Sequence, residues 1–272
     1  MSVKLELMAK VGTERAREET PTEVTRRASG RTGANGPDRA RPGNVTQRAM
    51  VSIQEMIRSG ELAPGQAIPS QRVLASQLGV SRAALREALS ILDTLGMVRI
   101  EPARGMFVTD DAATPASAAA PIHSWRFASR YAPQEVYQFR YIAEPQASFL
   151  AAMHRTDDEV AALRRNLELF REATRTMDLV QSAQLDFDFH RLIMEMSRNR
   201  MLVDLHRTYH QVLQESQRLP FAAHHRVWEP AIEHERIVQA IAMHDPQGSA
   251  YYMRVHINRA AERVDVAITD LV

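Results

Sequence analysis

Glycine is the residue whose placement most constrains this chain. Ten of its eleven glycines lie at or before Gly105, and the roughly 150 residues after Pro121 contain only Gly248. Glycine supplies the left-handed corners at which helices and hairpins stop. The apolar residues of the glycine-poor stretch recur at helical spacing, as at Leu163, Leu167 and Phe170, which predicts an all-helical bundle over residues 122–272.

The glycine-rich part divides again. Residues 1–43 hold nine Lys/Arg against six Asp/Glu with almost no apolar period after Met8, a composition that cannot offset chain entropy and reads as a disordered tail. From residue 44 to 108 the pattern tightens. One helical stretch ends at Gly60, the turn Ala63-Pro64-Gly65 follows, and two more helices, Ser70–Leu78 and Ser81–Leu95, stop at Gly79 and Gly96, each opening on a Ser suited to an N-cap. Met97–Glu101 and Met106–Val108 flank Pro102-Ala103-Arg104-Gly105 as a short hairpin. Three helices and a hairpin make the order of a winged helix-turn-helix. Residues 109–121, rich in Ala, Asp, Thr and Pro, suit a linker.

The 272 residues accommodate two domains, and no run of 18 apolar residues is present to span a bilayer. With no cysteine there is no disulfide scaffold, thiolate zinc site, iron–sulfur cluster or cysteine nucleophile. Any transition metal must sit on His, Asp or Glu, and all ten histidines lie at or beyond His123. The first thirty residues mix acids and bases without a secretory pattern, so the cytoplasm is the expected compartment.

In the Ser81–Leu95 helix, Leu85, Ala88, Leu89, Leu92 and Leu95 form an apolar face and leave Arg82 and Arg86 one turn apart on the other side. A guanidinium fork matches a phosphate or the O6/N7 edge of guanine, so two at a helix N-terminus suit a major groove. The order Gly60…Pro64-Gly65…Ser70-Gln71-Arg72…Leu78-Gly79-Val80-Ser81-Arg82…Arg86-Glu87-Ala88-Leu89…Leu95-Gly96…Gly105-Met106-Phe107-Val108 closely resembles the N-terminal domain of GntR-family bacterial transcription regulators. The resemblance implies DNA contacts from Arg72, Arg82 and Arg86 and a wing that Gly105 lets approach the minor groove; Ser81 and Arg104 complete the candidate set. Gln71 departs from the family's usual Glu, and Met106 from its small polar residue after the wing glycine. Residues 44–108 carry seven Arg against five acids, a weak charge for tight monomeric binding, so a homodimer on a pseudo-palindromic double-stranded operator is expected.

In the helical half, Asp186 and His190 fall at i, i+4 on one helix face, close enough to share an ion. Glu233-His234-Glu235 opens a further helical stretch, Asp245–Gly248 reads as the loop of an antiparallel hairpin, and His256 follows 22 residues after His234. Taken singly, each histidine suits a core or surface role. The spacing Arg140…Glu144, Asp186…His190, Asn199…Leu202, Glu233-His234…Ile237, Asp245, Met253…His256 resembles the FCD ligand-binding domain of the FadR subfamily. That resemblance implies a divalent ion on Asp186, His190, His234 and His256, with zinc first and nickel, iron or manganese as alternatives. It also implies a small organic acid effector, which Arg140 could clamp. A pairing of Arg140 with Glu144 one turn away is the equal alternative. His206 and His210, also at i, i+4, match no family ligand and are read as packing or pocket lining. Trp125 could mark where the two domains dock.

The chain is thus expected to be a metabolite-responsive regulator, acting as a repressor. An architectural DNA-binding dimer without effector is one alternative. A metal-dependent enzyme is another, but the His234-Glu235 start of a zinc-protease motif fails because Val238 stands where the second His is required, and no nucleotide loop or Gly-x-Ser-x-Gly elbow occurs. No catalytic residue is therefore assigned.

Overall fold

Local signals set the element boundaries. In the computed structural model, residues 42–110 and 125–268 are described; most of the tail expected over 1–43 and most of the linker expected over 109–121 lie outside them. Helix α1 (Pro42–Arg58) is followed by α2 (Gln71–Leu78) and α3 (Arg82–Thr94), then strands β1 (Val98–Glu101) and β2 (Gly105–Val108). Gly79 ends α2 at φ 62°, and Ser81 caps α3 by accepting from Ala84 N at 3.1 Å. Ser70 precedes α2, but its hydroxyl makes no cap bond, contrary to expectation. The strands pair antiparallel, Val98 with Val108 and Glu101 with Gly105, with Ala103 at φ 62° in the turn between them.

The second half is helical throughout its described residues: α4 (Pro133–His154), α5 (Asp157–Arg175), α6 (Leu179–Met196), α7 (Arg200–Thr208), α8 (His210–Arg218), α9 (Glu229–Ala242) and α10 (Pro246–Glu262), with two short 3₁₀ turns between α8 and α9. Side-chain caps mark the starts. Thr156 and Glu159 form a capping box on α5, Asp178 accepts from Gln181 N on α6, Asn199 from Met201 N on α7, and Asp245 from Gly248 N on α10. Helix α9 begins a turn earlier than expected because Pro230 favours a first-turn position, so Glu233 and His234 lie inside it. Pro246 does the same for α10, shortening the hairpin loop to Met243–Asp245.

Two apolar clusters organise the fold. One fills the bundle around Tyr137, Leu163, Phe189, Ile237, Met253 and Ile257. The other, around Ile53, Leu74, Leu89 and Leu92, continues into the bundle through Phe170, Leu179, Val180 and Phe221. Polar contacts reinforce this junction. Gln54 donates to Asp178 Oδ1 at 2.7 Å and accepts from Val180 N, and Thr94 at the end of α3 donates to buried Glu215 of α8 at 3.0 Å. Arg126 lies 3.9 Å from Glu215 and 4.0 Å from Glu87 of α3. Trp125 is buried instead in the bundle's own cluster, its indole donating to the Tyr131 carbonyl, while its neighbour Arg126 lies near Glu87 of α3.

Candidate metal centre and nucleic-acid interface

Asp186 and His190 project from one face of α6, His234 from α9 and His256 from α10. All four are buried, and one potential ligand atom from each falls within 4.8 Å of the others. His190 Nε2 and His256 Nε2 face each other at 3.2 Å, and His234 Nε2 stands 3.3 Å from Asp186 Oδ1. It is the one such group of possible ligands among the described residues.

The far side of one imidazole is held by a carboxylate, and that of a second lies beside one without completing a hydrogen bond. His256 Nδ1 donates to Glu233 Oε2 at 2.7 Å, and His190 Nδ1 lies 2.6 Å from Glu144 Oε2. Such carboxylate partners fix the tautomer and leave Nε2 unprotonated for a metal. The carboxylates are themselves anchored, Glu233 by Arg263 and Glu144 by Arg140 Nε at 2.8 Å. Neither nitrogen of His234 completes a hydrogen bond among the described residues, although the side chain is fully buried against Phe189 at a ring distance of 3.8 Å. A buried polar atom left so is costly unless something else satisfies it. The donor set therefore fits a divalent ion.

Electrostatics agree with that fit. Burial works against the Asp186 carboxylate, but His234 beside it, with His190 and His256, holds its pKa down at about 2. Burial pushes His234 down to about 4 against the pull of Asp186, and lowers His256 against the pull of Glu233. Neutral imidazoles around an ionised carboxylate are the protonation states that bind metal. Burial would raise the Glu144 carboxyl too, yet Arg140 and His190 keep it well below the usual carboxylate range.

Arg140 makes the Glu144 pair, one of its two sequence readings, and its remaining donors are left over. Its Nε pairs with Glu144, its guanidinium lies 5.4 Å from the Tyr137 ring centre, and its Nη1 and Nη2 are buried without a hydrogen-bond partner among the described residues. His206 is buried and stacks on Phe187 at 5.2 Å, whereas His210 is exposed, so the two do not form a second metal pair. Glu144 and Glu233 as supports for the histidines were not assigned from sequence. Glu233 stands one residue from His234 and could have been suspected, but the Glu144 to His190 contact joins α4 to α6 and leaves no spacing to read.

On the opposite half, Arg72, Ser81, Arg82, Arg86, Arg104 and Gly105 are all exposed. Arg72, Arg82 and Arg86 make no ion pair among the described residues, while Arg104 pairs with Glu101 at 2.6 Å in the wing. Gly105 sits at φ 120°, a conformation side-chain-bearing residues rarely adopt. The two departures noted at Gln71 and Met106 meet: Gln71 Nε2 donates toward Met106 Sδ at 4.0 Å, which a Glu could not do.

The chain thus joins a winged helix with exposed arginines to a helical bundle that buries a cluster of potential metal ligands. Residues 45–108 match the family described as bacterial regulatory proteins, gntR family, and residues 135–259 match the FCD domain. The chain is 25% identical over 225 residues to the Uxu operon transcriptional regulator of Escherichia coli (strain K12), covering 80% of this chain and 86% of that one. It is 27% identical over 217 residues to the HTH-type transcriptional regulator LutR of Bacillus subtilis (strain 168), covering 76% and 95%. Among solved structures, E. coli McbR/YncC aligns at 19% identity and a TM-score of 0.45, covering 81% and 97%. The protein belongs to the GntR family, with an FCD domain following its winged helix-turn-helix, consistent with the FadR-like subfamily. It is a transcription regulator of that family. No helix among the described residues is long and apolar enough to cross a membrane.

Proposed function

We propose that this regulator holds a divalent transition metal, zinc first, on Asp186, His190, His234 and His256, and that a small organic acid binds at the ion with Arg140 as its second clamp. The observation that carries the reading is the convergence of four buried ligand atoms within 4.8 Å, two of the imidazoles backed by carboxylates. When bound, the ion supplies an electrophilic anchor for a carboxylate. The free Nη1 and Nη2 of Arg140 offer a fork for a second oxygen pair. A homodimer reads a pseudo-palindromic operator with Arg72, Ser81, Arg82, Arg86, Arg104 and Gly105, and represses until the acid lowers its affinity for DNA.

Protein purified without chelators should carry about one divalent ion per chain by elemental analysis, and His234→Ala and His256→Ala should lower that content. Wild-type protein that is metal-free and takes up none on titration would overturn the site. Arg82→Ala or Arg86→Ala should abolish specific operator binding with metal content kept. Sequence preference retained in both variants would sink the DNA assignment.

A further inference from the structure

The end of α3 rests on the second 3₁₀ turn, His224–Arg226, which lies between α8 and α9. His224 Nε2 donates at 2.9 Å to the carbonyl of Leu95, the residue that caps α3. A β-carbon on the next residue, Gly96, would come within 3.3 Å of both Ala222 and this imidazole, so the backbone here is seated closely on the turn. Val227 and Ala231, just beyond the turn, belong to the same apolar cluster as Leu89 and Leu92 of α3.

From the same turn a chain of charge pairs runs inward to the histidine cluster. Arg226 grips Glu229 with two bonds of 2.9 Å, and Glu229 accepts from Arg263 Nε at 3.0 Å. Arg263 also pairs with Glu233, one turn further along α9, and Glu233 accepts from His256 Nδ1 at 2.7 Å. Side-chain exposure falls from 34% at Arg226 to 1% at Arg263, so the chain leaves solvent as it approaches the ligands. Isolated surface pairs contribute little. A buried guanidinium shared by two carboxylates is different, because it cannot shift without leaving one of them uncompensated.

We infer that the pairs Arg226–Glu229–Arg263–Glu233 link His256 to the seat of α3, so that an ion on the histidine cluster raises operator affinity without any acid. The inference rests on the metal reading above and goes beyond it, since it needs no effector. A cation at Nε2 makes Nδ1–H of His256 a stronger donor to Glu233 and tightens the hold of that carboxylate and Arg263 on the first turns of α9. The 3₁₀ turn that leads into α9 is fixed with them, and with it the contact to Leu95. While α3 is seated in this way Arg72, Arg82 and Arg86 stay exposed, so the arrangement that the ion favours is one that presents them to DNA. A domain already held in that arrangement does not have to be ordered on binding.

The test uses full-length protein, stripped by chelator and reloaded with zinc, and a duplex that the zinc-loaded protein selects from a random pool, with no acid present. By fluorescence anisotropy, loaded wild type should bind that duplex about fivefold or more tighter than stripped wild type. Through linkage the duplex should tighten zinc binding by the same factor, measured by chelator competition. Arg226→Ala and His224→Ala should each bring the factor near one, keep about one zinc per chain and bind the duplex as stripped wild type does; the double variant should add nothing, because both cut one link. Equal affinity of stripped and loaded wild type, with zinc taken up, would overturn the link and leave the metal site standing. A factor that survives both substitutions would do the same, as would variants that lose all DNA binding, which would make the turn a plain structural support. Wild type that takes up no zinc would overturn the metal site itself and this inference with it.

Discussion

His206 shows how one side chain ties stability to acidity. Burial lowers its pKa to about 4, with Glu144 pulling it up and His190, Arg191 and Arg140 pushing it further down. An unfolded histidine titrates near 6.5, so between about pH 6.5 and 4 the unfolded chain takes up a proton that the folded one refuses. The folded state therefore loses stability as pH falls through that window, by about 2 to 3 kcal/mol from this residue at pH 4.5. Urea unfolding at pH 7 and pH 4.5 should show a smaller acid loss in His206→Phe than in wild type. Equal losses would mean that the ring does not stay neutral in the fold.

At the scale of elements, the caps differ in how far their effects reach. The Thr156 hydroxyl serves only its own helix, so Thr156→Ala should cost about 1 kcal/mol. Asp178 caps α6 and also accepts from Gln54 of α1, so Asp178→Ala should cost about 2 kcal/mol by stripping the cap and leaving a mostly buried amide without its acceptor. Chemical denaturation of the two variants checks the difference, and equal costs would deny Asp178 its second role. What was legible in the sequence follows the same division. Gly79 ending α2, Ser81 opening α3, and Asp186 with His190 on one face are local matters that spacing alone declares. The start of α9 is less legible, because its apolar period shows only from Ile237 while the helix begins at Glu229 with Pro230 in its first turn. Glu144 behind His190, and Gln217 buried without a partner, exist only once α4, α6 and α8 pack, and no periodicity encodes them.

For the whole molecule, three consecutive residues of α8 engage three different surroundings. Glu215 accepts from Thr94 at the end of α3, the Ser216 carbonyl accepts from the Tyr137 hydroxyl, and Gln217 is buried without a hydrogen-bond partner among the described residues. A single turn of hydrogen-bonded helix has little freedom to move these residues separately. On the acid-sensing reading proposed above, a displacement of α8 by a bound acid would be passed to Thr94 through this turn, and an operator that fixes α3 would resist it from the other end. Acid and operator then share one thermodynamic account: the factor by which acid weakens operator binding equals the factor by which operator weakens acid binding. Thr94→Val, which keeps side-chain volume and removes the hydroxyl, should bring that factor closer to one in paired titrations with and without DNA, whereas an unchanged factor would place the connection elsewhere.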